Sequence, residues 1–109
     1  MWRVNPRKEV SIIFVSYGSG VLTISGTGAM YDYPVYDTPS SSQCMPWYNY
    51  KSAITTVNIA EGVTTIGACA FWGCSSLTSV TTPATISTIG FGAFCDCSGL
   101  QQVTIKAGF

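Results

Sequence analysis

The residues best suited to chemistry are five cysteines, because a thiolate can attack a substrate, bind a metal ion or form a disulfide. They are Cys44, Cys69, Cys74, Cys95 and Cys97. Their C-x4-C and C-x-C spacings differ from the C-x2-C pairs of structural zinc sites. The chain has no histidine, which removes the usual general base and the commonest transition-metal ligand. We therefore expect no catalytic residues, no cofactor and no metal, and a protein that is not an enzyme.

Three other groups of residues have weaker chemical possibilities. Asp32 and Asp37 could share a calcium ion, but the Asp-x-Asp-x-Asp-Gly pattern of a calcium loop is missing. The Gly-Ser-Gly at 18–20 and the Gly-Thr-Gly at 26–28 lack the Gly-Lys-Ser/Thr of a phosphate loop. Several tyrosines could stack on sugar rings, although packing around Trp47 is the simpler interpretation: Tyr31, Tyr33, Tyr36, Tyr48 and Tyr50.

Charge and hydropathy exclude two classes of partner. Five basic and five acidic residues give a net charge of zero, so no basic field attracts nucleic acid or anionic lipid. The longest apolar run is Ile12–Val15, far short of the roughly 20 residues of a membrane span. Arg3, Arg7 and Lys8 precede this run, but it is too short for a signal peptide and is better interpreted as a strand.

The elements that must position these side chains follow from a repeat of 23 residues. Its copies span 54–76 and 77–99, with a partial third copy at 100–109. Such a period is typical of a solenoid, in which each coil buries its inward side chains against its neighbours. The spacing Leu77-x-x-Val80-x-Thr82 predicts a short strand that pairs in parallel with its copies.

The second half of each coil predicts a returning segment and a turn. The segments begin at Val63 and Ile86, and the glycines that follow, Gly67 and Gly90, are expected to bend the chain with positive φ. Ala-Phe pairs at 70–71 and 93–94 predict a tight helical turn that places stacked phenylalanines in the core.

The residues that recur in each copy of the repeat resemble those of a known family. The motif I-G-x-x-A-F-x-x-C-S-x-L, at 66–77 and 89–100, is similar to the BspA-type (Treponema-like) leucine-rich repeat. The resemblance also covers 20–33 and 46–48, a segment that precedes the first repeat in members from gut bacteria. It implies a leucine-rich repeat solenoid of the α/β horseshoe type, made mostly of short parallel strands and turns. It further implies a secreted or surface-displayed bacterial protein that functions in adhesion.

Residues 1–53 are expected to form an N-terminal cap. Val10–Val15 and Val21–Ile24 predict two strands joined by a turn at 17–20, which is a β-hairpin. A loop rich in tyrosine, proline and serine follows. The open end of the first coil exposes a strand edge and apolar side chains, and Trp47 is the expected plug.

The repeat also gives two cysteines a structural role. Cys74 and Cys97 share one position, so we expect both to be buried, with each S–H meeting a backbone carbonyl. Cys69 and Cys95 fall at different positions, and a disulfide between them is possible but not required.

The surface presented by the strands is the expected binding site for a protein ligand. Its outward residues are uncharged and form columns on neighbouring strands: Thr56, Asn58, Ser79, Thr81, Gln102 and Thr104. Three strands at ~4.8 Å spacing give a face of about 14 Å, too narrow for an interface of ~800 Å² per partner. Two alternatives stay open: an architectural spacer or cap within a larger protein, and a carbohydrate-binding module that uses the cap tyrosines.

The last partial coil suggests self-association. Residues 100–109 provide one strand without a returning half, so inward residues there are expected to meet water. The sequence predicts a homo-oligomer formed through this edge by Val103, Ile105 and Phe109.

Overall fold

Seven strands and one short helix form within the part of the chain that the structure describes. The computed structural model describes residues 12–33 and 46–105, so Cys44, Tyr36, Asp37, Phe109 and the expected strand start at Val10 lie outside the described residues. The strands are β1 (Ile12–Gly18), β2 (Val21–Ala29), β3 (Thr56–Ile59), β4 (Val63–Ile66), β5 (Ser79–Thr82), β6 (Thr88–Ile89) and β7 (Gln102–Ile105), with a 3₁₀ helix at Tyr48–Tyr50.

The repeat fixes the register of the parallel strands. Thr56 pairs with Ser79 and Ser79 pairs with Gln102, so each partner lies one repeat of 23 residues further along the chain. On the opposite flank β4 pairs in parallel with β6, and Thr65 faces Thr88. This arrangement confirms the leucine-rich repeat solenoid.

The hairpin of β1 and β2 completes the solenoid at its N-terminal end. The turn between the strands places Ser19 at φ 52° and Gly20 at φ 84°, which is the left-handed pair that tight hairpins favour. Strand β2 is longer than predicted: Val21–Ile24 pair with β3, and Gly28 and Ala29 pair with β4. One strand therefore supplies both flanks of a coil that precedes the first sequence repeat.

Inward side chains form continuous columns across the strands. One column joins Leu22, Val57 and Val80, which are all fully buried. Burial of each such side chain contributes roughly 1.5–3 kcal/mol. Thr82 is the buried polar member of the next column, and its hydroxyl donates to the Thr104 carbonyl oxygen at 3.3 Å. The core is thus a stack of matching positions.

Aromatic rings form the second part of the core. The rings of Trp47 and Phe71 stack at 5.8 Å between centroids, and Phe71 stacks on Phe94 at 5.6 Å. The Trp47 indole N–H donates to the Ala70 carbonyl oxygen at 2.9 Å. Trp47 is only 3% exposed, so it covers the first coil as the sequence predicted.

The backbone of the turns differs from one expectation, which was that two glycines have positive φ. Gly67 and Gly90 do not have positive φ, so the reason given for them from the sequence was wrong. A Cβ at Gly67 would overlap the Tyr31 carbonyl oxygen, and one at Gly90 would lie 2.5 Å from the Ala68 nitrogen. Glycine is required at these two positions because neighbouring coils approach closely there.

Left-handed backbone lies elsewhere in the same turns. Cys69 (φ 57°) and Gly92 (φ 66°) share one repeat position, and Gly73 (φ 77°) and Asp96 (φ 60°) share another. The predicted helical turn at 70–71 is a run of tight turns, with Ala70 N–H donating to the Gly67 carbonyl oxygen at 3.2 Å. The left-handed residues interrupt the turns before they become an α-helix.

Candidate functional site

The sheet brings the six predicted contact residues together on one surface. Thr56, Ser79 and Gln102 lie side by side in one column, and a second column contains Asn58, Thr81 and Thr104. Alternate residues of these strands point into the core. The six side chains therefore project from the opposite side of the sheet.

The hairpin makes this surface wider than the sequence predicted. Thr23 lies beside Asn58, and Ser16 lies beside Thr23. The second column therefore crosses five strands, from Ser16 to Thr104, or about 24 Å at the same ~4.8 Å per strand that gave about 14 Å for three strands. The estimate of about 14 Å was wrong because β1 and β2 lie outside the detectable repeat. We call this five-strand surface the strand face.

A weak signal for the extra strands exists in the sequence. Leu22 and Ile24 alternate with Thr23 just as Val57 and Ile59 alternate with Asn58, which is the pattern of a half-buried strand. No separate returning segment follows this alternation, because the same strand, β2, continues to its pairing with β4. The coil that contains β2 therefore does not show the 23-residue period in its sequence.

Hydroxyl groups on the strand face differ in their hydrogen bonding from those of the residues just before the strands. Thr78, just before β5, donates its hydroxyl to the Thr55 carbonyl oxygen at 3.1 Å, and Thr55 donates to the Gly20 carbonyl oxygen at 3.2 Å. These bonds join neighbouring coils. Within the described ranges, the side chains of the six residues in the two columns make no hydrogen bond, and Thr104 accepts one only through its backbone carbonyl oxygen. Their polar groups are available to a ligand.

The cap tyrosines pack mainly on one another and on the core. Tyr17 and Tyr50 stack at 4.8 Å, and Tyr33 contacts Trp47 edge to face at 5.8 Å. Burial, with a smaller effect from Tyr31, raises the pKa of Tyr33 to about 12. Tyr31 and Tyr50 still expose 37% and 50% of their surface. The rings of Tyr33 and Trp47 are therefore largely occupied by protein contacts.

Of the two candidate calcium ligands, Asp32 has a structural partner and Asp37 lies outside the described residues. Asp32 accepts a hydrogen bond from the Ala68 backbone N–H at 2.8 Å, which fastens the cap segment to the turn of the first coil. Among residues 12–33 and 46–105 no group of three or more Cys, Asp or Glu side chains is arranged to hold a metal ion. In the same ranges, no helix is long and apolar enough to cross a membrane.

The described cysteines are free thiols, so Cys69 and Cys95 form no disulfide. Cys74 is fully buried, and burial, followed by the nearby Cys97, raises its pKa to about 12. Cys97 is only partly buried, and its S–H donates to the Phe71 carbonyl oxygen at 3.0 Å. Burial also raises the pKa of Cys97. The expectation for this pair is therefore confirmed only in part: Cys74 is buried but its S–H meets no carbonyl oxygen among the described residues, whereas Cys97 donates to a carbonyl oxygen but is not fully buried.

The C-terminal end of the described solenoid exposes residues that are inward elsewhere. Val103 and Ile105 are 38% and 42% exposed, although Val80 and Thr82 at the same positions are fully buried. Ile89 is 40% exposed where its copy Ile66 is 1% exposed. Phe109, the third residue of the predicted self-association edge, lies outside the described residues.

Comparison with known proteins agrees with this geometry. A leucine-rich repeat protein from Eubacterium ventriosum, solved by crystallography, is similar over 85% of this chain, with 40% sequence identity and a TM-score of 0.73. The chain covers 23% of that structure, so it spans about a quarter of the neighbour's length. No curated protein matches the chain. The family model described as "BspA type Leucine rich repeat region (6 copies)" matches residues 46–109. The chain therefore belongs to the BspA-type leucine-rich repeat family.

Proposed function

We propose that this chain is a non-enzymatic protein-binding module that acts in adhesion at a bacterial cell surface, and that its ligand contacts the strand face. The observation that carries the proposal is the pair of columns on this face, whose hydroxyl and amide groups have no partner among the described residues. A sheet surface of unpaired donors and acceptors can form many short hydrogen bonds with a polypeptide. Membership of the BspA-type family supports the cellular role, since adhesion is what the resemblance to that family implies.

The composition of the face predicts the character of binding. None of the five side chains in the column from Ser16 to Thr104 carries a charge. Long-range steering by charge is therefore weak, and affinity should change little with ionic strength. We expect association in the range of about 10⁵–10⁶ M⁻¹s⁻¹ that is usual without electrostatic steering.

A matched pair of substitutions tests the proposal. Thr81→Lys places a charged side chain within the strand face, whereas Thr88→Lys makes the same change on β6 of the opposite flank. The chain and both variants would be screened against immobilised fibronectin, fibrinogen, collagen and a glycan array. We expect a protein ligand whose binding is lost with Thr81→Lys and kept with Thr88→Lys. Equal binding by both variants would contradict the use of the strand face.

The exposed end of the solenoid favours an architectural role as a second candidate. Ile89, Val103 and Ile105 lie at inward positions of the repeat but are 38–42% exposed. A further coil, or a second copy of the chain, would bury them as the earlier coils bury their own copies. Adding a complete coil copied from residues 77–99 should raise the melting temperature. If the extended chain also fails in all binding screens, the spacer is the better account.

The sugar-binding alternative predicts a different outcome of the same screen. It requires Tyr31 or Tyr50 to stack on a sugar ring, since these rings are the more exposed ones in the described cap. Glycan binding that is lost with Tyr50→Ala and kept with Thr81→Lys would favour it over the strand face. We expect no glycan signal, because Tyr50 already stacks on Tyr17.

A further inference from the structure

We infer that β1 is a self-association edge, through which two copies of this chain pair their β1 strands in antiparallel orientation about a two-fold axis. The sheet that carries the strand face has two ends, β7 and β1. Among residues 12–33 and 46–105, β1 pairs only with β2, so the backbone groups on its other edge have no strand partner within these ranges. Such an edge binds another strand unless something blocks it.

Strand β1 lacks the features that normally protect an edge. Its seven residues, Ile12–Gly18, contain no charged residue and no proline. All seven pair with β2 in an unbroken register, from Ile12 opposite Thr27 to Gly18 opposite Val21, so no bulge turns the edge away. Long, flat, uncharged edge strands are the ones that associate.

The exposed side chains of β1 are apolar on both faces of the sheet. Ile12 and Phe14 are 50% and 62% exposed on the outer face, and Val15 is 40% exposed on the inner face. A strand added at this edge would cover all three. Because these three side chains lie on both faces of the sheet, the partner strand that matches them best would also have apolar side chains on both faces.

A second copy of β1 has these properties. In an antiparallel pair with Val15 at the two-fold axis, Phe14 lies opposite Ser16 of the other copy, and the two Phe14 rings become diagonal neighbours. Each copy has a net charge of zero, so no general repulsion opposes the pair. The contact is isologous, which is the commonest form of homo-oligomer.

The other end of the sheet is a poorer self-complementary edge. Strand β7 has only four residues, and its outer face presents Gln102 and Thr104 rather than apolar side chains. Pairing through β1 also leaves the strand face intact and joins two of them into one sheet. The inference does not depend on what the strand face binds.

The size of the contact predicts a weak dimer. One seven-residue strand pair with three apolar side chains per copy buries less than the ~800 Å² per partner of stable interfaces. We therefore expect a dissociation constant in the micromolar range. Sedimentation velocity from low to high micromolar concentration should show a monomer that becomes a dimer.

Matched variants locate the contact. Ser16 and Thr104 are both exposed and stand at opposite ends of the same column, so Ser16→Lys and Thr104→Lys make the same change at the two edges. We expect Ser16→Lys to weaken dimerisation by at least about tenfold through a charge on the edge. Phe14→Ala should weaken it as well. Thr104→Lys should not change it, and melting curves should show all three variants folded.

Three results would overturn the inference. A monomer at every concentration would exclude the dimer. Dissociation by Thr104→Lys but not by Ser16→Lys would place the contact at the C-terminal edge. Backbone amides of β1 that point away from β2 and are already protected from hydrogen exchange at the lowest concentration would show that the chain itself covers the edge.

Discussion

Phe71 and Phe94 occupy the same position in successive coils, yet Phe71 is fully buried and Phe94 is only partly buried. The same contrast holds for Ile66, at 1% exposure, and Ile89, at 40%. The difference comes from what covers each coil. Trp47 stacks on one side of Phe71 and Phe94 on the other, whereas the described residues provide no further ring beyond Phe94.

This contrast shows that burial in a solenoid is a property of a coil's neighbours. Two coils with nearly the same sequence pattern contribute differently to stability, because stability is a sum of coil and interface terms. The first coil is covered on both sides over its whole length, whereas beyond the second coil the described residues provide only strand β7. The N-terminal cap therefore does more than protect an edge: it supplies one of the interfaces of the best packed coil.

The largest expected effect is the removal of the stacked rings. Phe71→Ala should cost about 3–5 kcal/mol of unfolding free energy, because it leaves a cavity between two rings. Phe94→Ala should cost less, about 2 kcal/mol, because its ring is already partly in contact with water. Denaturant unfolding of the two variants beside the original chain measures both values. Equal losses would mean that Phe94 is covered in solution, by self-association or by the end of the chain.

A smaller effect is expected at the left-handed position shared by Gly73 and Asp96. Gly73→Asp should destabilise the first coil by about 1 kcal/mol, since a Cβ is disfavoured at φ 77°. Asp96→Gly should stabilise the second coil by about 0.5 kcal/mol. Gly18→Ala is a matched control, because φ is not positive there and its Cβ would meet nothing within 4 Å. Melting temperatures that move in the same direction for both exchanges would contradict this account of the turn.

The smallest perturbation uses the thiols and leaves the fold unchanged. Cys74 and Cys97 share one repeat position, but Cys74 is fully buried with a pKa raised to about 12, and Cys97 is partly buried. A raised pKa leaves less thiolate at a given pH, so alkylation is slower. We expect iodoacetamide to modify exposed Cys95 first, then Cys97, and Cys74 only on unfolding. Mass spectrometry of peptides over time gives the order, and early loss of the Cys74 thiol would show that the first coil opens locally.

The repeat predicted the strands and their partners well, because it places a matching apolar residue beside every inward one. The register of Val57 with Val80 and of Ile66 with Ile89 follows from the period alone. The six residues of the candidate binding columns follow from the same alternation, and their role as ligand contacts stays a prediction. Trp47 was recognised because an open coil needs a large apolar cover.

Other features could not be predicted from the period. Gly67 and Gly90 look like flexible bends in a sequence, and only the packed coils show that a Cβ would overlap a neighbouring backbone. The hairpin strands lie outside the repeat, so the width of the strand face and the exposure of Phe14 were missed. These features depend on contacts between residues that are far apart in the sequence, and the local spacing of residue types does not specify such contacts.

The sequence by itself determined the coil: its length, its inward residues, the parallel pairing and the absence of histidine chemistry. These follow from local spacing, since a side chain's direction along a strand alternates whatever lies nearby. Only the tertiary structure decided how deeply each copy is buried, which glycines are required by close contact, and where the sheet ends. Those properties depend on which coil or hairpin lies on either side, so Val80 is fully buried while Val103, its copy, is 38% exposed.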